Sequence, residues 1–171
     1  MRFVQLVAVG IGIGTLASGR VEASTAQAEL RNAQGETVGH ATLRQTLDGV
    51  AIALQIVKLP PGPHGVHIHA VGKCDPPEFA SAEEHFNPDG KKHGLKNPEG
   101  PHAGDLPNLV IGPEGVAHLE LLAPRVTLGA GANSLLHQGG TALVVHAGLD
   151  DEITDPAGDS GARIACGVIT R

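Results

Sequence analysis

The chemistry available to this chain is concentrated in its histidines. His67-x-His69 is followed by His85, His93, His102 and Asp105 across one stretch, and by His146 further on. Side chains at i and i+2 of a strand point to one face about 6.6 Å apart. His67 and His69 can therefore reach the same ion, which suits copper, nickel, iron or zinc. His85, His93, His102 and Asp105 differ in kind. Three imidazoles and a carboxylate make a closed N3O set, the ligand number of tetrahedral zinc with no position left for water. The pattern predicts a two-metal site.

Such residues need a rigid scaffold, and the chain supplies short strands separated by turn residues. Val50, Ile52, Leu54 and Ile56 alternate with Ala51, Ala53 and Gln55, a period of two with the larger residues on one face. Asn32-Ala33-Gln34-Gly35, Asp48-Gly49 and Gly112-Pro113-Glu114-Gly115 bring turn chemistry between such runs. Strands are expected over residues 25–31, 37–45, 49–57, 64–70, 107–111, 115–122, 141–146 and 164–170. This spacing predicts an antiparallel all-β sandwich or barrel. Residues 71–106 and 147–163 are too long for ordinary connections, and such segments are usually functional or disordered. The first carries most of the histidines.

Arg2 followed by an apolar stretch from Phe3 to Ala17, then Val21-Glu22-Ala23-Ser24, reads as a secretory signal peptide over residues 1–23. The stretch is shorter than the roughly 20 residues of a membrane span, so no stable membrane anchor is expected after cleavage. About 148 residues then form one domain, 24–171. Removing Arg2, Arg20 and Glu22 from the 12 basic and 18 acidic residues leaves 10 and 17, a net charge near −7. That balance argues against nucleic acid as a partner. Without Tyr or Trp, and with Phe79 and Phe86 as the aromatics of that domain, stacking platforms for bases or sugars are lacking. Cys74 and Cys166 are the two cysteines. In an oxidising compartment they read as one disulfide, with two buried free thiols as the competing reading.

The chain resembles copper/zinc superoxide dismutases, in particular their bacterial exported branch. The resemblance is carried by Gly65-Val66-His67-Ile68-His69, His85-Phe86-Asn87-Pro88, Lys92-His93-Gly94, His102-Ala103-Gly104-Asp105-Leu106, Val144-Val145-His146 and Gly161-Ala162-Arg163-Ile164-Ala165-Cys166-Gly167. It implies an eight-stranded antiparallel Greek-key sandwich or barrel with two long functional loops. It assigns His67, His69, His85 and His146 to a redox-cycling copper, and His85, His93, His102 and Asp105 to zinc, with His85 as the bridge. Asp150 matches the carboxylate that links a copper ligand to a zinc ligand. Arg163 is implied as the docking charge for superoxide, which is converted to oxygen and hydrogen peroxide with His85 also serving as a proton carrier. The same resemblance implies a periplasmic location, secretion being the alternative, and leaves a homodimer open. A metal-buffering protein of the same fold without turnover is the competing function.

The sequence also departs from the family. Glu83 and Glu84 stand where small residues, often glycine, precede the bridging histidine; Ala70 and Val66 replace an acidic and an aromatic residue. A non-glycine residue forced into a left-handed backbone costs roughly 1 to 2 kcal/mol. Lys91, Lys92 and Lys96 are candidates for longer-range attraction of an anion. Singly placed His40, His118 and His137 read as packed or surface residues, and the resemblance implies that His64 is structural rather than ligating.

Overall fold

The computed structural model describes residues 24–171, so the expected signal peptide lies outside the described residues. Among the described residues nine strands are present: β1 Thr25–Asn32, β2 Thr37–Thr46, β3 Gly49–Ile56, β4 Gly62–His64, β5 Val66–His69, β6 Leu109–Ile111, β7 Ala117–Ala123, β8 Ala142–His146 and β9 Arg163–Val168. Seven of them form one antiparallel sheet in the order β5, β8, β9, β1, β2, β3, β7, and β4 pairs with β6. No helix among the described residues is long and apolar enough to cross a membrane.

The expected strand over 64–70 is divided at Gly65. His64 continues the pairing of β4 with β6, whereas Val66 opens the pairing of β5 with β8. This division, rather than an extra element, raises the count from eight to nine. The His64 ring secures the break: one nitrogen lies 2.8 Å from the carbonyl of His146 and the other 2.9 Å from that of Pro60.

Period-two alternation builds the core. On β1, Ala26, Ala28 and Leu30 point inward while Gln27, Glu29 and Arg31 face solvent. Val50, Ile52, Leu54 and Ile56 of β3 are buried, as their alternation predicts. Val66 and Ile68 of β5, with Leu143 and Val145 of β8, join the same cluster. Their alternate neighbours must therefore lie on the outer face, and there His67 and His69 of β5 meet His146 of β8.

That outer face is not left to water. Residues 71–106 fold back over it and pack a second small cluster of Phe79, Ala82, Ala142, Val144 and Cys166. Cys74 and Cys166 form a disulfide that ties this loop to β9. The return path is stitched to β5 by main-chain bonds: Phe86 N to Ile68 O at 2.8 Å, Ile68 N to Gly104 O at 2.9 Å and Gly104 N to Phe86 O at 2.8 Å. A Cβ on Gly104 would overlap the Ile68 carbonyl, so only glycine allows the approach.

Candidate metal centre

All seven expected ligand residues are buried and converge. Two groups have donor atoms within 4.8 Å of one another: His67, His69, His85 and His146, and His85, His93, His102 and Asp105. His85 belongs to both. The isolated pairings His69↔His85 and His67↔Asp105 place the loop residues directly beside β5.

Ring orientation in the first group follows from what the other nitrogen of each ring does. His69 Nδ1 donates to Glu83 O at 2.7 Å, and His146 Nδ1 to Gly161 O at 3.0 Å. Their Nε2 atoms, left as lone pairs, face each other at 3.4 Å. His67 Nε2 is 2.6 Å from Asp150 Oδ2. Its Nδ1, like His85 Nε2, is buried without a hydrogen-bond partner. Buried polar atoms are normally paired. Unpartnered lone pairs meeting at one point are what a cation bound by imidazole requires.

In the second group, Nδ1 of His85, His93 and His102 lie 3.0, 3.2 and 3.2 Å from Asp105 Oδ1. Donors about 2.0 to 2.1 Å from a tetrahedral zinc are separated by about 3.3 Å, close to these values. His102 Nδ1 makes no hydrogen bond despite its proximity. The other carboxylate oxygen, Asp105 Oδ2, accepts from the main-chain nitrogens of Gly94 and His102, each at 2.9 Å. The Oδ1 atom is thereby directed inward. Both donor sets fit their ions in number and chemistry.

Asp150 joins the groups, with Oδ1 3.0 Å from His93 Nε2 and Oδ2 on His67. It thus holds the outer nitrogen of one ring from each set, the arrangement that orients metal-bound imidazoles. Asn108 positions Asp150 in turn, accepting from its N at 2.9 Å and donating to its O at 2.8 Å. Nothing in the sequence singled out Asn108, because an isolated asparagine after a metal-binding stretch has no spacing signature. Gly158 presses against the Asp150 carboxylate, and a Cβ there would overlap it.

Burial and the neighbouring groups together set the protonation states. It pushes His85 and His146 down to about 4, and His69 well below the usual imidazole range. Those rings are neutral and ready to donate lone pairs. For His93, hydrogen bonds to Asp105 and Asp150 outweigh the opposing effect of burial and raise it to about 9. Burial would raise Asp105, but the surrounding imidazoles of His102, His85 and His93 and the main-chain bond from Gly94 hold it far below the usual carboxylate range.

Arg163 stands at the entrance. Its Nη1 donates to Phe79 O at 2.7 Å and its Nη2 to Glu83 O at 2.5 Å. A cavity of about 800 Å³ is lined by Arg163, His85, Glu83, Glu84 and His137. Glu83 adopts φ 61°, ψ −147°, a region almost confined to glycine. Only this one of the two glutamates pays that cost. The strained peptide aims its carbonyl at both His69 and Arg163. Lys92 is paired with Asp155 at 3.1 Å and Lys96 with Glu152 at 2.7 Å, so these two lysines join the long loops rather than stand free. Exposed His40 and His118 lie outside the site, and His137 stacks on Phe86.

The copper/zinc superoxide dismutase (SODC) profile matches residues 37–169. This chain belongs to the copper/zinc superoxide dismutase family. A Cu-Zn superoxide dismutase 1 of Aquifex aeolicus is 55% identical over 144 residues, covering 83% of this chain and 85% of the relative. A superoxide dismutase-like protein from Bacillus subtilis superimposes with a TM-score of 0.81 at 39% identity, covering 83% of this chain and 96% of that one. The Cu/Zn superoxide dismutase of Brucella abortus gives 0.71 at 30% identity, covering 85% and 99%. Membership implies copper and zinc, and the two buried donor groups match that pair.

Proposed function

We propose that this chain dismutes superoxide, two anions and two protons yielding oxygen and hydrogen peroxide, with His67, His69, His85 and His146 holding copper and His85, His93, His102 and Asp105 holding zinc. The observation that carries the reading is the set of unpartnered buried lone pairs on His67 and His85 beside the facing Nε2 atoms of His69 and His146. When bound, copper supplies a one-electron acceptor for one superoxide and a donor for the next, while zinc is redox-silent.

The chain's own residues do the rest. His85 presents Nε2 to the first group and Nδ1 to the second, so one imidazole would serve both ions when they are bound. Two nearby dications make loss of both ring protons feasible. His85 also lines the cavity, which supports a role for its imidazole in holding a proton for the peroxide product. Arg163, fixed by two carbonyls, offers positive charge at that cavity and docks the anion. Asp150 holds one ring of each set in register.

Export belongs to the same proposal: residues 1–23 direct the chain out of the cytoplasm, cleavage follows Ala23, and the product acts in the periplasm without a membrane anchor. Either a monomer or a homodimer is compatible with a site built from one chain. Superoxide consumption by the purified protein, measured with copper and zinc content per chain, tests the function. Turnover with one of each metal supports it, and two bound metals without turnover refute it. N-terminal sequencing of the exported product tests the cleavage.

A further inference from the structure

Five of the six clustered histidines have both ring nitrogens accounted for. One faces a donor group; the other is held by Asp150, by a carbonyl or, for His85, faces the second group. His102 is the exception. Its Nε2 comes no closer than 4.0 Å to Asp155 Oδ1, and neither ring nitrogen makes a hydrogen bond among the described residues. Apart from packing against the His85 and His93 rings, its ring is therefore aimed by its main chain.

That main chain is gripped from outside the loop. Arg125, two residues beyond β7, donates from Nε to His102 O at 3.2 Å and from Nη2 to Asp105 O at 3.3 Å. No other side chain among the described residues bonds the carbonyls of two members of the second group. The turn it grips is closed by Asp105 N to His102 O at 3.3 Å and His102 N to Asp105 Oδ2 at 2.9 Å. Arg125 is itself anchored on the barrel: Asn133 Nδ2 donates to its carbonyl at 3.1 Å, and Val126 and Leu128 beside it are buried in the core. A planar guanidinium carries its N–H groups in a fixed fork, which suits two carbonyls three residues apart.

We propose that Arg125 is a positioning residue for zinc, its guanidinium clamping the His102–Asp105 turn so that His102 Nδ1 and Asp105 Oδ1 meet at one point. This rests on the reading of the second group as the zinc site. Charge alone predicts the opposite sign. A guanidinium near a dication repels it, so removing Arg125 would tighten zinc if electrostatics governed, whereas it loosens zinc if the clamp governs.

The test uses the full mature protein loaded with both metals. Arg125→Ala is expected to release zinc to excess chelator about tenfold faster, the lower end of the usual effect of losing such a support, with copper content unchanged. Cobalt(II) in place of zinc should show weaker visible bands as the tetrahedral set relaxes. Arg125→Lys, which keeps charge and stem, should fall between parent and alanine; it carries the test if the alanine variant does not fold. Unchanged or slower zinc release in the folded variant overturns the proposal. So does an equal loss of melting temperature in metal-free and zinc-loaded protein with release unchanged, the mark of a merely structural residue. His93→Ala run alongside separates the premises. If it retains zinc, the zinc reading itself fails; if it loses zinc while the Arg125 variants hold theirs, the clamp alone fails.

Discussion

The two donor groups share His85 yet are built in different ways. Three of the four residues in the first lie on β5 and β8, and their rings are held by Asp150 and by carbonyls. The second lies wholly between residues 85 and 105, where no strand runs, and gathers three imidazoles around one carboxylate oxygen. A strand-borne set is preorganised by the barrel, while a loop-borne set draws much of its order from the ion, because metal binding is then folding energy.

The largest expected effect tests that contrast directly. His93→Ala or Asp105→Ala should lose zinc and about 10 °C or more in melting temperature while copper still binds. Saturation at about 1,000 times Kd contributes about 4 kcal/mol, and 1 kcal/mol is about 3 °C in a domain of this size. His146→Ala should instead abolish copper-dependent activity with a clearly smaller melting shift. Calorimetry showing equal losses in the two kinds of variant would erase the distinction between the groups.

Arg163 sharpens the comparison at the entrance, where local positive charge must act within a negative protein. One unit pair at about 5 Å and an effective dielectric of about 20 interacts by roughly 3 kcal/mol, which bounds the effect near a hundredfold in rate. Arg163→Ala should keep both metals and the fold yet lose about tenfold in the superoxide rate constant, with Arg163→Lys intermediate. Added salt should slow the parent more than the alanine variant. Full activity with verified metal content would remove Arg163 from the path.

A smaller effect separates the two glutamates. Glu83→Gly should gain about 1 kcal/mol, or about 3 °C, by relieving its glycine-type backbone, whereas Glu84→Gly should not gain, since its backbone has no positive φ. A lower melting temperature for Glu83→Gly would mean that its side chain outweighs the strain. The smallest change belongs to the exposed ion pairs between the loops: Lys92→Ala should move the melting temperature by about 1 °C or less.

Much of this was legible beforehand because it is periodic or local. The alternation of β3 foretold which of its residues are buried, and the i, i+2 spacing foretold that His67 and His69 share a face. The division of 64–70 at Gly65 was hidden, since a change of pairing partner leaves no mark on alternation. Asn108 and Arg125 were hidden for a related reason: each acts on main-chain atoms distant in sequence, which any sequence can present. The suspicion about Glu83 and Glu84 was half right, and only backbone angles could choose between them.

Residue types and spacing by themselves pointed to the histidines and aspartate that the fold brings together, to the strand alternation and to one disulfide, and the motifs they form pointed to the family. The tertiary structure decided which ring nitrogens are spent on Asp150 and carbonyls and which are left as converging lone pairs. It also decided that Lys92 and Lys96 bind the loops together instead of standing free, and that a half-buried arginine just beyond β7 grips the His102–Asp105 turn. The physical reason is clearest for the rings. Ligand identity is a property of one side chain, but lone-pair direction is fixed by the hydrogen bond on the other side of the ring, and that partner comes from a different part of the chain.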